Sequence, residues 1–246
     1  MASKTINNLV CFDFETGGLD CTKDAVTQVC FMAIDSKDFS KIDTYVDYVY
    51  PYNKKDRSST GRSKKLVSKT SRDKPELYGY DESKMLEICG TTMQDLYEKG
   101  EDVEKVVENI CNLFNNANST GTAAGRPFLL GQNAHNFDVG FLQKLFWYCG
   151  KDLSKYVVCS KDFYGNSQPF VLDTLYLAKL FYANDDKISK YALGFLCDKL
   201  EIELVNAHDA LADVEATKEV AKIFFSNMRS GGSSSNIEKS RKHFKF

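Results

Sequence analysis

Apolar and polar positions divide this chain into a set of strands followed by an alternation of helices and strands. Residues 8–14 form a short apolar run rich in β-formers, closed by Thr16-Gly17-Gly18; they predict a buried strand entering a turn. Residues 25–34 predict a second strand. Residues 42–50 alternate and predict a third, ended by Pro51. The three are expected to form an antiparallel meander. Residues 53–76 are polar, basic and Ser-rich and are expected to be an exposed insertion. Beyond it, Val103, Val106, Val107, Ile110, Leu113 and Phe114 recur at helical spacing, so a helix is expected over residues 102–114. A polar loop spans 115–125. Short buried strands at 127–130 and 170–172 then alternate with helices over 137–148, 174–182, 191–200 and 209–225. That order implies an α/β fold with a mixed sheet and helices on its faces. No internal repeat is visible.

At 246 residues and 43% hydrophobic, the chain suits one α/β domain with an appendage, or two small domains. The pattern favours one domain over residues 1–227. Residues 228–246 hold Gly231, Gly232 and three consecutive serines before a basic end, which predicts a flexible linker and tail. Net charge is −2, but residues 54–74 hold nine Lys/Arg against two Asp, and residues 229–246 hold five against one Glu. Both basic segments suit phosphate contacts beside an acidic body, and both equally suit a solvated loop and tail. The eight cysteines include no CxxC pair, and Cys11 and Cys30 lie inside apolar runs. They are expected to be reduced thiols in a cytoplasmic, reducing compartment. No signal peptide is read at the start, and no apolar run is long enough for a membrane span.

The chemistry concentrates in three places. Asp13 and Glu15 are two apart on a predicted strand, so both point to one face while Phe12 and Phe14 take the other. Two carboxylates on one face favour a divalent cation with oxygen ligands, although a solvent-facing acidic pair has the same spacing. Asp138 falls in the first turn of a predicted helix, where it also suits the helix dipole; Asn133 or Asn136 could cap that helix. His208 and Asp213 are five apart and converge best if His208 precedes its helix, with Asp209 as N-cap. His208 alone would read as a packing or surface residue.

Taken together and in order, Asp13-Phe14-Glu15-Thr16-Gly17, Asn133 through Asp138, and His208 through Asp213 resemble the three motifs of the DEDDh (DnaQ-like) 3′–5′ exonucleases, which have an RNase H-like fold. Val171-Leu172-Asp173-Thr174-Leu175 and Tyr191-Ala192-Leu193 support the match, which covers about residues 7–226. Gly18 departs from the Thr of many proofreading members. The basic insertion and the tail lie outside the pattern.

The resemblance implies a mixed five-stranded sheet, three antiparallel strands and then parallel ones, flanked by helices. It implies two divalent ions, Mg²⁺ or Mn²⁺, held by Asp13, Glu15, Asp138 and Asp213 directly or through water, with Asp13 bridging. His208 is the implied general base. Thr16 and Gly17 are expected to meet the 3′-terminal sugar through backbone groups, Leu19 to wedge against the last base, and Asn133 to contact substrate. Phe137 either meets the base or joins the core. The implied activity is metal-dependent hydrolysis of single-stranded DNA from 3′ ends to nucleoside 5′-monophosphates, free-standing or proofreading for a DNA polymerase. RNA 3′-end trimming and a catalytically silent nucleic-acid-binding module are the alternatives; the complete set of acids with His208 argues against the second. The tail is expected either to dock on a polymerase, a clamp or nucleic acid, or to be a disordered basic end.

Overall fold

Five strands build the central sheet: β1 (Leu9–Thr16), β2 (Val26–Ile34), β3 (Lys41–Tyr48), β4 (Phe128–Gly131) and, after a two-stranded hairpin of β5 (Cys159–Lys161) and β6 (Ser167–Pro169), β7 (Val171–Asp173). The sheet order is β3-β2-β1-β4-β7. β1 and β3 pair antiparallel with β2, whereas β1–β4 and β4–β7 are parallel. This is the expected mixed sheet. The computed structural model describes residues 7–54, 76–205 and 208–231.

All nine residues of β2 are buried, because helices cover both sheet faces. On one face, Val10, Phe12, Phe14, Val29 and Phe31 pack against α3 (Val103–Ala117) and α4 (Asp138–Tyr148). Phe31 is fully buried and lies 5.5 Å from Phe12, 5.6 Å from Phe14 and 5.7 Å from Phe114, ring centre to ring centre. On the other face, Leu9, Cys11, Cys30 and Met32 pack against Ala210, Val214 and Ala221 of α7 (Ala210–Gly231). Outside α7, α5 (Thr174–Phe181) and α6 (Leu193–Leu200) enclose Ala178, Leu196, Val220 and Phe224. All eight cysteines are free thiols, and among the described residues no helix is long and apolar enough to cross a membrane.

Several boundaries move. β1 runs two residues past Phe14, because a bulge between Glu15 and Thr16 lets Thr16 pair with Val26. α4 begins at Asp138, and no side chain caps it; neither Asn133 nor Asn136 takes that role. The helix expected from residue 191 starts at Leu193. α7 continues to Gly231, six residues past the expected end, so the linker does not begin at 228. Arg229 explains part of this: its guanidinium donates to the carbonyls of Lys37 (2.7 Å) and Ser36 and lies 5.7 Å from the Phe225 ring. Residues 232–246, the rest of the expected tail, lie outside the described residues. So do residues 55–75 of the basic insertion. Its two ends meet: Lys54 N–H donates to the Glu76 carbonyl at 2.7 Å, Lys54 Nζ pairs with Glu76 at 2.8 Å, and Asn53 bridges to Leu77.

Two helices fall where the pattern assigns nothing, α1 (Glu82–Cys89) and α2 (Met93–Lys99). Both are about two turns long, too short for a periodicity to show. Their punctuation is clearer: Asp81 caps α1 and Gly90 ends it at φ +67°, while Thr92 and Asp95 form a capping box on α2.

Phe31→Ala should remove the ring on which the Phe12–Phe14–Phe114 cluster rests. The expected loss is about 3–5 kcal/mol of stability, read from urea unfolding; a loss under about 1 kcal/mol would mean that the cluster repacks.

Candidate active site

The parallel strands β1, β4 and β7 end at one edge of the sheet, and the chain's carboxylates gather there. Asp13 and Glu15 share the α7-facing side of β1, as their spacing predicts. Asp213 comes from the first turn of α7. One ligand atom from each of Asp13, Glu15 and Asp213 lies within 4.8 Å of the others. Asp138, the first residue of α4, is buried and stands just outside this trio. Its Oδ1 accepts a hydrogen bond from the Phe14 N–H at 3.2 Å, so α4 is tied to the strand that carries the other two acids.

Such crowding disfavours the charged forms. Burial, followed by the charges of Asp138, Glu15 and Asp213, holds Asp13 well above the usual carboxylate range. Glu15 is pushed up to about 8, by burial first and then by Asp213, Asp138 and Asp209. Asp138 is pushed up to about 7 by burial, against the pull of the Phe14 N–H. Burial also raises Asp213, opposed by the His208 N–H. An all-carboxylate donor set whose members raise one another fits a hard divalent cation such as Mg²⁺ or Mn²⁺.

Asp209 organises the start of α7. Its Oδ1 accepts from the N–H groups of Leu211 (3.1 Å) and Ala212 (3.0 Å), the expected N-cap role. His208 therefore sits outside the helix, exposed, at φ +69°, and its N–H donates to Asp213 Oδ2 at 3.3 Å. A non-glycine residue held in the left-handed region is uncommon.

The acids form one wall of a cleft of about 280 Å³. α1 and its approach form the other: Lys84, Met85, Ile88 and Cys89 face Asp13, Glu15, His208 and Asp213, with Phe14, Leu19 and Phe137 between. This wall hangs on the turn after β1. Asp81 N–H donates to the Gly17 carbonyl at 2.8 Å, and Gly17 N–H donates to the Ala25 carbonyl at 2.9 Å. A Cβ on Gly17 would lie 2.4 Å from the Gly79 carbonyl oxygen, so glycine is required for close approach. At Gly18 a Cβ would lie 2.3 Å from the Asp24 carboxylate, so the fold leaves little room for a side chain there.

The expected substrate contacts are placed unequally. Leu19 is 80% exposed at the cleft, and Thr16 and Phe137 line it. Phe137 also packs against Phe141, so it borders both cleft and core. Gly17 is not among the residues lining the cleft, and its N–H and carbonyl are both engaged internally. Asn133 is also absent from the lining; at φ +57° it forms a turn in which its Oδ1 accepts from Asn136 Nδ2 at 2.9 Å.

Asp173 has a structural role beyond its place in the supporting stretch of residues 171–175. Asp173, at the end of β7, is buried and accepts from the N–H groups of Asn133 (2.8 Å), His135 (3.0 Å) and Leu175 (3.0 Å). It pins the turn leading to Asp138 and caps α5 at once. Its position before Thr174 at a strand end was the available signal.

Comparison with known proteins agrees with this fold. A family model described as an exonuclease (RNase_T) matches residues 122–221. A DNA polymerase III of PolC type from Halalkalibacterium halodurans is 30% identical over 133 residues, 54% of this chain and 7% of that protein. Among solved structures, E. coli exonuclease I in complex with a dT13 oligonucleotide superposes with a TM-score of 0.62 at 22% identity, over 95% of this chain and 46% of that one. A zinc-bound exonuclease I–ssDNA complex gives 0.63 at 22%, over 96% and 45%. This chain thus spans less than half of each of these relatives.

The raised carboxylates set a pH dependence. The folded, metal-free protein keeps protons that the unfolded chain releases near pH ~4, so its stability should fall as pH rises from about 4 to about 8. Added Mg²⁺ should raise the melting temperature more at about pH 8 than at about pH 5. Thermal melts with and without chelator check this; a metal effect that does not grow with pH would contradict it.

Proposed function

We propose that this chain is a DnaQ-like exonuclease and that it hydrolyses single-stranded DNA from the 3′ end, releasing nucleoside 5′-monophosphates. The observation that carries this reading is the convergence of Asp13, Glu15 and Asp213 within 4.8 Å, with Asp138 tied to the same strand, in a cleft that also holds an imidazole. Two bound Mg²⁺ or Mn²⁺ ions would supply an activated water and counter-charge at the leaving oxygen. Asp13, Glu15 and Asp213 would hold them, with Asp138 contributing directly or through water.

The chain's own groups do the rest. His208, exposed at the mouth, takes the proton of the attacking water on an imidazole nitrogen. Leu19, Met85, Ile88 and Phe137 give the terminal base an apolar slot that excludes water. Lys84 Nζ, paired with Asp81 at 3.1 Å, stands at the wall opposite the acids and is placed to meet a phosphate. The nine basic residues of the 54–74 segment add phosphate contacts along the strand. Similarity to a DNA polymerase of PolC type supports a proofreading setting, with the C-terminal segment as the attachment.

Digestion of 5′-labelled single-stranded DNA, duplex DNA and single-stranded RNA with Mg²⁺, Mn²⁺ or chelator tests the reading. A metal-dependent 3′-shortening ladder on single-stranded DNA is expected, abolished by Asp13→Ala or Asp138→Ala. His208→Ala should slow it by roughly 10²–10⁴. Preference for RNA would move the reading to RNA trimming, and no ladder on any substrate would leave a binding module. Deleting residues 54–74 should weaken DNA binding and flatten its salt dependence; an unchanged salt slope would make the segment passive.

A further inference from the structure

Beside the cleft, on the same sheet edge, lies a patch that the proposed chemistry does not use. His135, Asn136, Tyr176 and Lys179 are all exposed there. The rings of His135 and Tyr176 meet edge to face with centres 6.4 Å apart. Lys179 Nζ stands 5.6 Å over the Tyr176 ring. Tyr176 is 46% exposed, so part of a large aromatic ring meets water at the start of α5.

The patch is rigidly based. The buried Asp173 carboxylate accepts from the backbone of Asn133 and His135 on one side and from Leu175 on the other. It thereby fixes the turn that carries His135 and the helix start that carries Tyr176. Asn136 Nδ2 to the Tyr176 hydroxyl, at 3.3 Å, adds a side-chain link. The patch adjoins the cleft along the chain. Only Asn136 and Phe137 separate His135 from the acid Asp138, and Phe137 itself lines the cleft.

Resting on the exonuclease reading of the cleft, we propose that His135 and Tyr176 form a stacking platform for nucleotides 5′ of the cleaved linkage, with Lys179 against their phosphate. With the terminal nucleotide in the apolar slot of Leu19, Met85, Ile88 and Phe137, the preceding strand would leave past Phe137 toward β7. There it meets two exposed rings and an ammonium group, the combination that holds single strands without regard to sequence.

The test compares two substrates, a dT12 strand and the p-nitrophenyl ester of thymidine 5′-monophosphate, which reaches the cleft alone. Tyr176→Ala should lower the preference for dT12 over the ester by about 5- to 100-fold in kcat/KM, the range of one lost base stack. Tyr176→Phe, which keeps the ring and loses the Asn136 contact, should restore it. Binding of fluorescent dT12 to the Asp13→Ala protein should weaken by the same factor with Tyr176→Ala or His135→Ala. Unchanged preference and affinity in Tyr176→Ala would overturn the platform. Equal losses in Tyr176→Phe and Tyr176→Ala would also overturn it, because the hydroxyl's grip on the turn would then be the cause. Hydrolysis of neither substrate by the unaltered protein would instead refute the exonuclease reading, and the binding measurement would still decide the platform.

Discussion

The mutual repulsion of buried carboxylates at one sheet edge is the constraint around which the rest is arranged. Three acids within 4.8 Å of one another, with a fourth beside them, are unfavourable in a folded chain without a counter-charge. Among the described residues, the fold places a single cation in the cleft lining, Lys84, and that one is paired with Asp81. What it supplies is rigidity. β1 is held between β2 and β4, α4 is tied to β1 through Asp138 and the Phe14 N–H, and α7 is capped by Asp209 four residues before Asp213. The acids are held close together, and such a donor set fits a divalent cation.

The same rigidity reaches outward through backbone contacts. The turn after β1 carries α1 through Gly17, and the close approach of Gly79 to Gly17 leaves no room for a side chain. Asp173 does the equivalent work on the other flank, holding the 133–136 turn and the start of α5 with one carboxylate. Both walls of the cleft are therefore fastened to the strand ends that carry the chemistry, and a change at either fastening would be felt at the acids.

Much of this was legible beforehand, for identifiable reasons. The strands that build the sheet centre are long or strongly apolar, and α3 and α7 show clear helical faces, so their existence followed from periodicity. α1, α2 and the β5–β6 hairpin were not readable. Each is short, and α1 buries little beyond Met85, so no periodic stripe marks it. The extension of α7 to Gly231 was hidden because Ser230 and Gly231 are poor helix formers; the contacts of Arg229 with Ser36 and Lys37, nearly two hundred residues away, have no local signature.

The sequence by itself determined the chemical inventory: which acids and which histidine, in what order, and that Asp13 and Glu15 share a strand face, because a strand's period of two follows from local geometry. Tertiary structure alone decided that Asp213 joins Asp13 and Glu15 and that Asp138, beside them, accepts from a backbone N–H of the same strand. It also decided that Gly17 spends its backbone groups inside the protein and that α1 closes the cleft. These outcomes depend on how strand ends and helix starts from distant parts of the chain come to lie side by side. No local pattern carries that information, because it arises only when the sheet is closed and its two faces are covered.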